Sequence, residues 1–443
     1  MPQPSPRPLA DVLAPALFFL GLLLLVFGLG MLSAYAKVFP YPYIARAESS
    51  ARAVWNAYFD DPPFDLKGWD QTPAESGAVV HDRARVAPGL TFLAAYAADG
   101  FEGRLVDGEG KTVHRWHARF SEVFKEAPHL RWQARDIVIA WHGVHLFPNG
   151  DVVFNFQDAS FPYGGGLVRI DRDSKVLWTL PRNTHHDVFV DDQGMIWVPA
   201  QRYHDDGVEG FPDLKGGYYE DLVLKVSPKG EVLREISVLN ALKDLPGLLN
   251  VNYNDRLEVE QEDPTHLNNV EVLQPRMAAA FPWLKPGDLM VSLRNVNALV
   301  FIDGATGRAK GTLQSLFVRQ HDPDFLPNGH IMVFDNRGGD PTCGGSRVLE
   351  IDPASEKTVW SFDGCGGEPF FSETRGEQEV LENGNVLITE SKGGRVLEVT
   401  HDPKPEVVWE YYNVLGKVDG KPRVGLITHA QRVRPETLAF VDR

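Results

Sequence analysis

Apolar and polar residues alternate through most of this chain in short runs, broken at regular intervals by Asn, Asp, Gly and Pro. WHGVHLFPNGDVVFNF, HHDVFVDDQGMIWV and HDPDFLPNGHIMVF each hold an apolar run, a turn and a second apolar run. Such phrases are followed by a further pair, as in GLVRIDRDSKVLWTL, SRVLEIDPASEKTVWSF and GRVLEVTHDPKPEVVWEY. Alternation bounded by turn residues predicts strands. Four short strands per unit of about 40–50 residues is the signature of a β-propeller blade. Complete units start near residues 140, 184, 264, 319 and 374. Residues 89–116 supply strands without an opening phrase, and the C-terminal THAQRV…LAFV supplies the phrase without outer strands. Joining them closes a ring and removes an exposed sheet edge. The expected fold is all-β: a six-bladed β-propeller over residues 89–443 with a split closing blade.

The N-terminus breaks this pattern. Leu13 to Ala36 carries no charge and is about the length needed to cross a bilayer. Ala34-Tyr35-Ala36 could serve as a signal-peptidase site, but the apolar stretch is longer than a usual signal core. An uncleaved anchor over residues 1–37 is therefore expected, with the propeller exported. Residues 38–88 read as a linker. ARAESSARAVWNAYF has helical spacing, and the Pro/Gly/Asp-rich DDPPFDLKGWDQTP is irregular.

Composition adds two limits. The 443-residue chain has 44 Lys and Arg against 60 Asp and Glu, a net charge of −16, which argues against a nucleic-acid partner. Its two cysteines, Cys343 and Cys365, fall in one blade. They form a disulfide if the domain is exported, or two buried or free thiols otherwise.

The repeated phrase also carries chemistry. His142, His186 and His321 each stand eight residues before a turn glycine, at Gly150, Gly194 and Gly329. His266 opens a copy whose turn is delayed by an insertion at 274–286, which forms a lid or a membrane-facing loop. His429 opens another copy, with Thr437 at its turn. The sixth copy has Gly376 in place of His, with Arg375, Glu377 and Gln378 nearby. Equivalent positions in a repeat occupy equivalent places, so these histidines are expected to converge on one axis. Asn268 lies two residues after His266 and on a strand would share its face. Arg294 is expected in the next, otherwise apolar strand, where a guanidinium is costly unless paired or liganded. Its fork suits a tetrahedral oxyanion.

Several imidazoles, an amide and a guanidinium in one cup suit two kinds of chemistry. One is metal binding, although no local ligand spacing such as HExxH is present. The other is transfer of an anionic group, with imidazole as nucleophile and Arg, His and Asn holding the oxygens. A non-enzymatic propeller that binds a ligand or partner at its face is the third reading. No GxxxxGK[ST] loop occurs, so a bound nucleotide donor is not expected.

The His and Arg positions in order, the HxN phrase, the QHD phrase and the VW(E/S)(F/Y) blade endings resemble the bacterial arylsulfate sulfotransferase family over roughly residues 89–443. The resemblance implies a six-bladed, exported enzyme, independent of cofactor or metal. Such an enzyme moves a sulfuryl group from an aryl sulfate to a phenolic or other hydroxyl acceptor by a ping-pong route through a sulfohistidine. It implies that His321 becomes sulfated, that His266, Asn268 and Arg294 hold the sulfuryl oxygens, and that His186 lies near the phenolic oxygen. His142 and His429 are expected to line the channel on repeat position alone, and His185 is grouped with them as substrate-binding. The family's enzymes carry an extra N-terminal β-domain that helps them dimerise, where this chain has about 50 residues and an apolar segment. A homodimer remains open, and the expected location is a single-pass anchor in the inner membrane with the propeller on the periplasmic side.

Overall fold

The computed structural model describes residues 9–36, 39, 64–68, 72–130, 135–159, 161–211, 214, 217–245, 247–252, 262–365, 367 and 369–441. The chain divides into two compact units, residues 1–62 and 63–443. In the first, Leu9–Ala36 is one helix. Its Leu13–Ser33 portion is long and apolar enough to cross a membrane, a property that a signal sequence shares. The helix expected over residues 45–59 lies outside the described residues.

The second unit is built of antiparallel sheets. Sheet 1 comprises Ile139–Leu146, Val152–Asp158, Gly164–Ile170 and Val176–Leu180. Sheet 2 comprises Phe189–Val190, Ile196–His204, Tyr218–Val226 and Val232–Ser237. Sheet 3 comprises Leu267–Val272, Leu289–Leu293, Ala298–Ile302 and Ala309–Gln314. Sheet 4 comprises His321–Phe325, Ile331–Asp335, Arg347–Asp352 and Lys357–Phe362. Sheet 5 comprises Glu377–Val380, Val386–Glu390, Arg395–Val399 and Val407–Tyr412, with Gly77–Val80 added at its outer edge. Sheet 6 places the C-terminal strand Ile427–Val433 beside Leu90–Ala97, followed by Gly100–Val106 and Thr112–His117. The pairing expected between the two ends of the repeat region is therefore present.

Local chemistry explains the hairpins. The Asp171 carboxylate accepts from the backbone N–H groups of Asp173 and Lys175 at 2.9 Å each, closing the turn before the last strand of sheet 1. Asp107 does the same for Glu109 and Lys111 in sheet 6. Such Asx turns compete with continued strand and set where each hairpin reverses.

Between sheets, packed apolar faces form the core, with Phe92, Trp116, Trp141 and Phe154 buried together between sheets 6 and 1. Polar rungs fix neighbours. Outer-strand tryptophans donate to turn carbonyls of the following sheet: Trp116 to Gly150 at 2.9 Å, Trp178 to Pro228 at 3.0 Å, Trp360 to Asp402 at 2.9 Å and Trp409 to Gly108 at 2.9 Å. On the first strands, carboxylates do similar work. Asp187 accepts from Val270 N at 2.9 Å, Glu271 from Phe325 N at 2.5 Å, Asp322 from Gln378 N at 2.9 Å and Glu379 from Arg432 N at 2.8 Å.

Part of the stretch read as a linker belongs to this unit. Asp65–Lys67 pairs with Lys421–Gly425 beside Val414–Val418, and Gly77–Val80 pairs with Val407–Tyr412. Phe64 is 1% exposed, with its ring 5.6 Å from Tyr96 and 5.0 Å from Phe101. Strands of three or four residues are too short for alternation to be read from sequence.

Candidate active site

The first strand of each sheet begins at the end where the histidines stand. His186 and His266 precede their strands in the left-handed region, at φ 57° and 52°. Arg319 at 59° and Arg375 at 63° stand near the starts of the next two first strands. Non-glycine residues persist there only when their surroundings fix them, and such positions gather at functional sites.

The structure brings four imidazoles into contact. Ring centroids lie 5.5 Å apart for His142 and His186, 4.9 Å for His185 and His186, and 4.8 Å for His186 and His266. Tyr163 packs edge-on against both His186 and His266 at 5.1 Å. All four histidines are buried. His142 Nδ1 donates to the His186 carbonyl. His266 Nδ1 lies 2.5 Å from the Asp263 carboxylate, and its buried Nε2 has no hydrogen-bond partner among the described residues.

His321 faces this group and is held from three sides. Its Nδ1 lies 2.7 Å from Asn336 Oδ1 and 3.1 Å from the Arg319 carbonyl, while the Arg375 backbone N–H donates to its Nε2 at 3.2 Å. The Asn336 amide nitrogen is committed to the carbonyls of Ser372 and Arg375, at 2.7 and 2.6 Å, so its oxygen faces His321. The tautomer follows: Nδ1 carries the proton and Nε2 keeps its lone pair. Burial pushes the His321 imidazole well below its ordinary value of 6.5, and the Arg294 charge adds to this. His186 and His266 are lowered well below 6.5 by burial first, then by His266 and Arg294 respectively. These rings are neutral at neutral pH, the form that can attack an electrophile or accept a proton.

Arg294 stands elsewhere than expected. It is not within the strand but begins a short 3-10 turn, Arg294–Val296, between Leu289–Leu293 and Ala298–Ile302. Asn297, left-handed at φ 48°, closes the reversal. A hairpin end relieves the cost of burying a guanidinium inside an apolar strand. The side chain meets Asn295 Oδ1 at 3.4 and 3.2 Å, and lines a cavity of about 150 Å³ with Asp263, Asn295, Arg319, Arg337 and Thr374. Asn268 gives its amide N–H to the Gln320 carbonyl at 2.8 Å, next to His321, and its buried Oδ1 has no partner among the described residues.

His429 belongs to a different setting. Its Nδ1 lies 2.7 Å from Glu377 and its ring 6.0 Å from Phe92, so it contacts a carboxylate rather than another imidazole. The insertion at 274–286 is not a lid over this site. It follows the far end of the Leu267–Val272 strand, away from His266. There Gln274 accepts from Asp192 N at 2.9 Å and Arg276 meets Asp192 at 3.3 Å. Cys343 and Cys365 form a disulfide.

Sequence reading missed several of these groups. Arg375 stands beside the glycine that replaces His in the sixth phrase. Its guanidinium lies 5.8 Å from the Phe64 ring, its Nε is buried without a partner among the described residues, and burial lowers it to about 10. A cation beside the glycine that takes the repeated histidine's place was the available signal. Asn336, Asp263 and Tyr163 carry no repeat signature and come from loops.

A family model described as arylsulfotransferase (ASST) matches residues 143–413. The chain belongs to the arylsulfotransferase family. His185, His186, His266, Asn268, Arg294, His321 and Arg375 lie within the matched segment, whereas His142 and His429 lie outside it. Membership supports arylsulfotransferase activity in general. No curated protein matches this arylsulfotransferase. Among solved structures, it is similar to a protein of unknown function from Bacteroides caccae, at 15% identity, TM-score 0.49, over 79% of this chain and 100% of that one. It is also similar to a catalytically inactive virginiamycin B lyase from Staphylococcus aureus with quinupristin, at 9% identity, TM-score 0.39, over 79% and 92% of the two chains. The Dos1 propeller is a further neighbour, at 10% identity, TM-score 0.37, over 81% and 78%.

Proposed function

We propose that this protein transfers a sulfuryl group from an aryl sulfate to a phenolic or other hydroxyl acceptor, through a sulfohistidine at His321. The observation that carries this reading is the state of that imidazole: neutral, with Nδ1–H on Asn336 and an unprotonated Nε2 whose contact with the Arg375 backbone N–H, at 3.2 Å, gives way to the donor.

In the first half-reaction, Arg294, Arg375, the amide hydrogen of Asn268 not given to Gln320, and Nε2–H of His266 hold the sulfate oxygens of the donor; for His266 to donate there, its Nδ1 accepts from Asp263, which burial raises to about 6. His321 Nε2 attacks sulfur, the S–N bond forms and the S–O(aryl) bond breaks. The aryl oxygen leaves with the electron pair and takes a proton from Nε2 of His186, which enters this step as the imidazolium formed beside the bound anion and leaves it neutral. In the second half-reaction the acceptor hydroxyl gives its proton to His186 and its oxygen attacks sulfur. The S–N bond then breaks and its pair returns to Nε2 of His321. A phenol with a reference pKa near 10 is a poor leaving group unless a proton is supplied. Catalysis is otherwise positioning and charge stabilisation, by analogy with phosphoryl transfer.

The six sheets and the tryptophan rungs, including Trp409 to Gly108, support a closed six-bladed propeller with a split blade. The Leu13–Ser33 helix and the Cys343–Cys365 disulfide support an inner-membrane anchor with the propeller on the oxidising, periplasmic side. The test is incubation of the purified full chain with 4-nitrophenyl sulfate and a phenol. Formation of the aryl sulfate of the acceptor, abolished in a folded His321→Ala variant, is expected. Unimpaired turnover in that variant would remove His321 from the mechanism.

A further inference from the structure

Behind His186 lies a chain of buried polar groups that sulfuryl transfer does not obviously require. His185 Nδ1 is 2.7 Å from His186 Nδ1. On its other side, His185 Nε2 is 3.6 Å from Asp221 Oδ1, with side-chain exposures of 1% and 0%. Among the described residues neither of those two atoms has a hydrogen-bond partner. Asp221 Oδ2 is fixed by Thr265 Oγ1 at 2.6 Å and by Leu267 N at 2.8 Å, so the carboxylate cannot turn away. Two buried, unsatisfied atoms of complementary character this close gain by closing to a hydrogen bond.

We infer that Asp221 and His185 are positioning residues that set the protonation pattern of His186, the group that exchanges a proton with the aryl oxygen. The inference rests on the sulfuryl-transfer reading. The logic is a count of protons. A carboxylate only accepts, so His185 donates from Nε2 and keeps a lone pair on Nδ1. A bond between two Nδ1 atoms needs one proton, which must then come from His186. His186 is thereby held as the Nδ1–H tautomer, with Nε2 as the proton acceptor. The His186 ring is packed by Tyr163, His142 and His266. When His186 takes the acceptor's proton, the charge that develops faces Asp221 through the His185 ring. His142, His185, His266 and His321 all disfavour that charge. Asp187, next in sequence, bonds the backbone N–H groups of Val188 and Val270 at 2.7 and 2.9 Å instead.

Asp221→Asn is close to isosteric and reverses the pattern. An amide N–H facing His185 Nε2 makes Nδ1 of His185 the donor, so Nδ1 of His186 must accept and the imidazolium that gives its Nε2 proton to the aryl oxygen is no longer held. The experiment measures phenol release from the full chain without acceptor, which isolates the first half-reaction. Phenyl sulfate, a poor leaving group, is compared with 4-nitrophenyl sulfate, an activated one. In Asp221→Asn the rate with phenyl sulfate is expected to fall about 10²-fold or more, and with 4-nitrophenyl sulfate less than about 10-fold. His185→Phe gives the same contrast from a second position if Asp221→Asn does not fold. Equal losses with both donors would overturn the inference and leave the pair a structural element. A wild type that releases phenol from neither donor would overturn the transfer reading and this inference together.

Discussion

Asn336 Oδ1 lies 2.7 Å from Nδ1 of His321, and this one contact decides which nitrogen of that imidazole can react. The amide cannot flip without losing its bonds to the Ser372 and Arg375 carbonyls. Asn336→Ala should therefore lower the rate of enzyme sulfation about 10²-fold, the scale on which orienting a catalytic imidazole matters. The check is single-turnover phenol release with 4-nitrophenyl sulfate, alongside a thermal melt to confirm folding.

Arg375 and Arg294 should act on the bound anion. A hydrogen bond to a charged group contributes about 1.5–3 kcal/mol, or roughly 10- to 150-fold. Arg375→Gln and Arg294→Gln are each expected to lower kcat/KM for aryl sulfates by that range. Arg375→Gln should leave thermal stability unchanged or higher, because its Nε is buried without a partner among the described residues. Steady-state kinetics and a melt on the same preparations test both statements.

The disulfide joins two loops that hold His321. Cys343 lies in the segment after Asn336, and Cys365 opens the segment that ends at Arg375. Phe370 N donates to the Cys343 carbonyl at 2.9 Å, and Ser346 Oγ bonds the Asn336 carbonyl at 2.8 Å. A crosslink with a separation of 22 residues stabilises by about 3 kcal/mol in the loop-entropy account. Reduction, or Cys343→Ser with Cys365→Ser, should lower the melting temperature and reduce turnover together. Retained activity at full stability would show the loops to be held without it.

Stability should fall as pH rises. Burial raises Asp187 from 3.8 to about 7, Asp324 from 3.8 to about 8 and Glu379 from 4.5 to about 7. A carboxyl raised on folding favours the folded state in its protonated form. Its contribution is fully present below the ordinary value and is lost as pH climbs through the raised one. Above about pH 6.5, where the buried histidines no longer act in the opposite sense, the melting temperature is expected to decline toward about pH 8. Asp324→Asn, which can keep a partner for Gln378, should flatten that decline. A melt series at fixed ionic strength reads it.

The period-two alternation and spaced turns made the sheets legible, because each hairpin is a local event governed by its Asx turn and apolar faces. The imidazoles were legible for a related reason: a repeat carries His142, His186, His266 and His321 to comparable places. Arg294 was placed one element wrong because apolar residues run on both sides of it, and only the left-handed Asn297 shows that the chain reverses. Phe64 and the short strands at 65–67 and 77–80 escaped notice because three or four residues carry no readable period. His429 shares the repeat position but meets Glu377, a partner from another sheet that no spacing within its own phrase could reveal. Asn336, Asp263 and Asp221 act through loops or across sheets, where sequence distance says nothing of proximity.

The most direct test of His321 as the sulfuryl carrier uses the full chain and an aryl sulfate with no acceptor, followed by peptide mass spectrometry under non-acidic handling. A single sulfuryl adduct on the His321 peptide, discharged when phenol is added, is the predicted result. Consumption of donor and transfer to acceptor without any adduct on His321, in folded protein, would contradict the account.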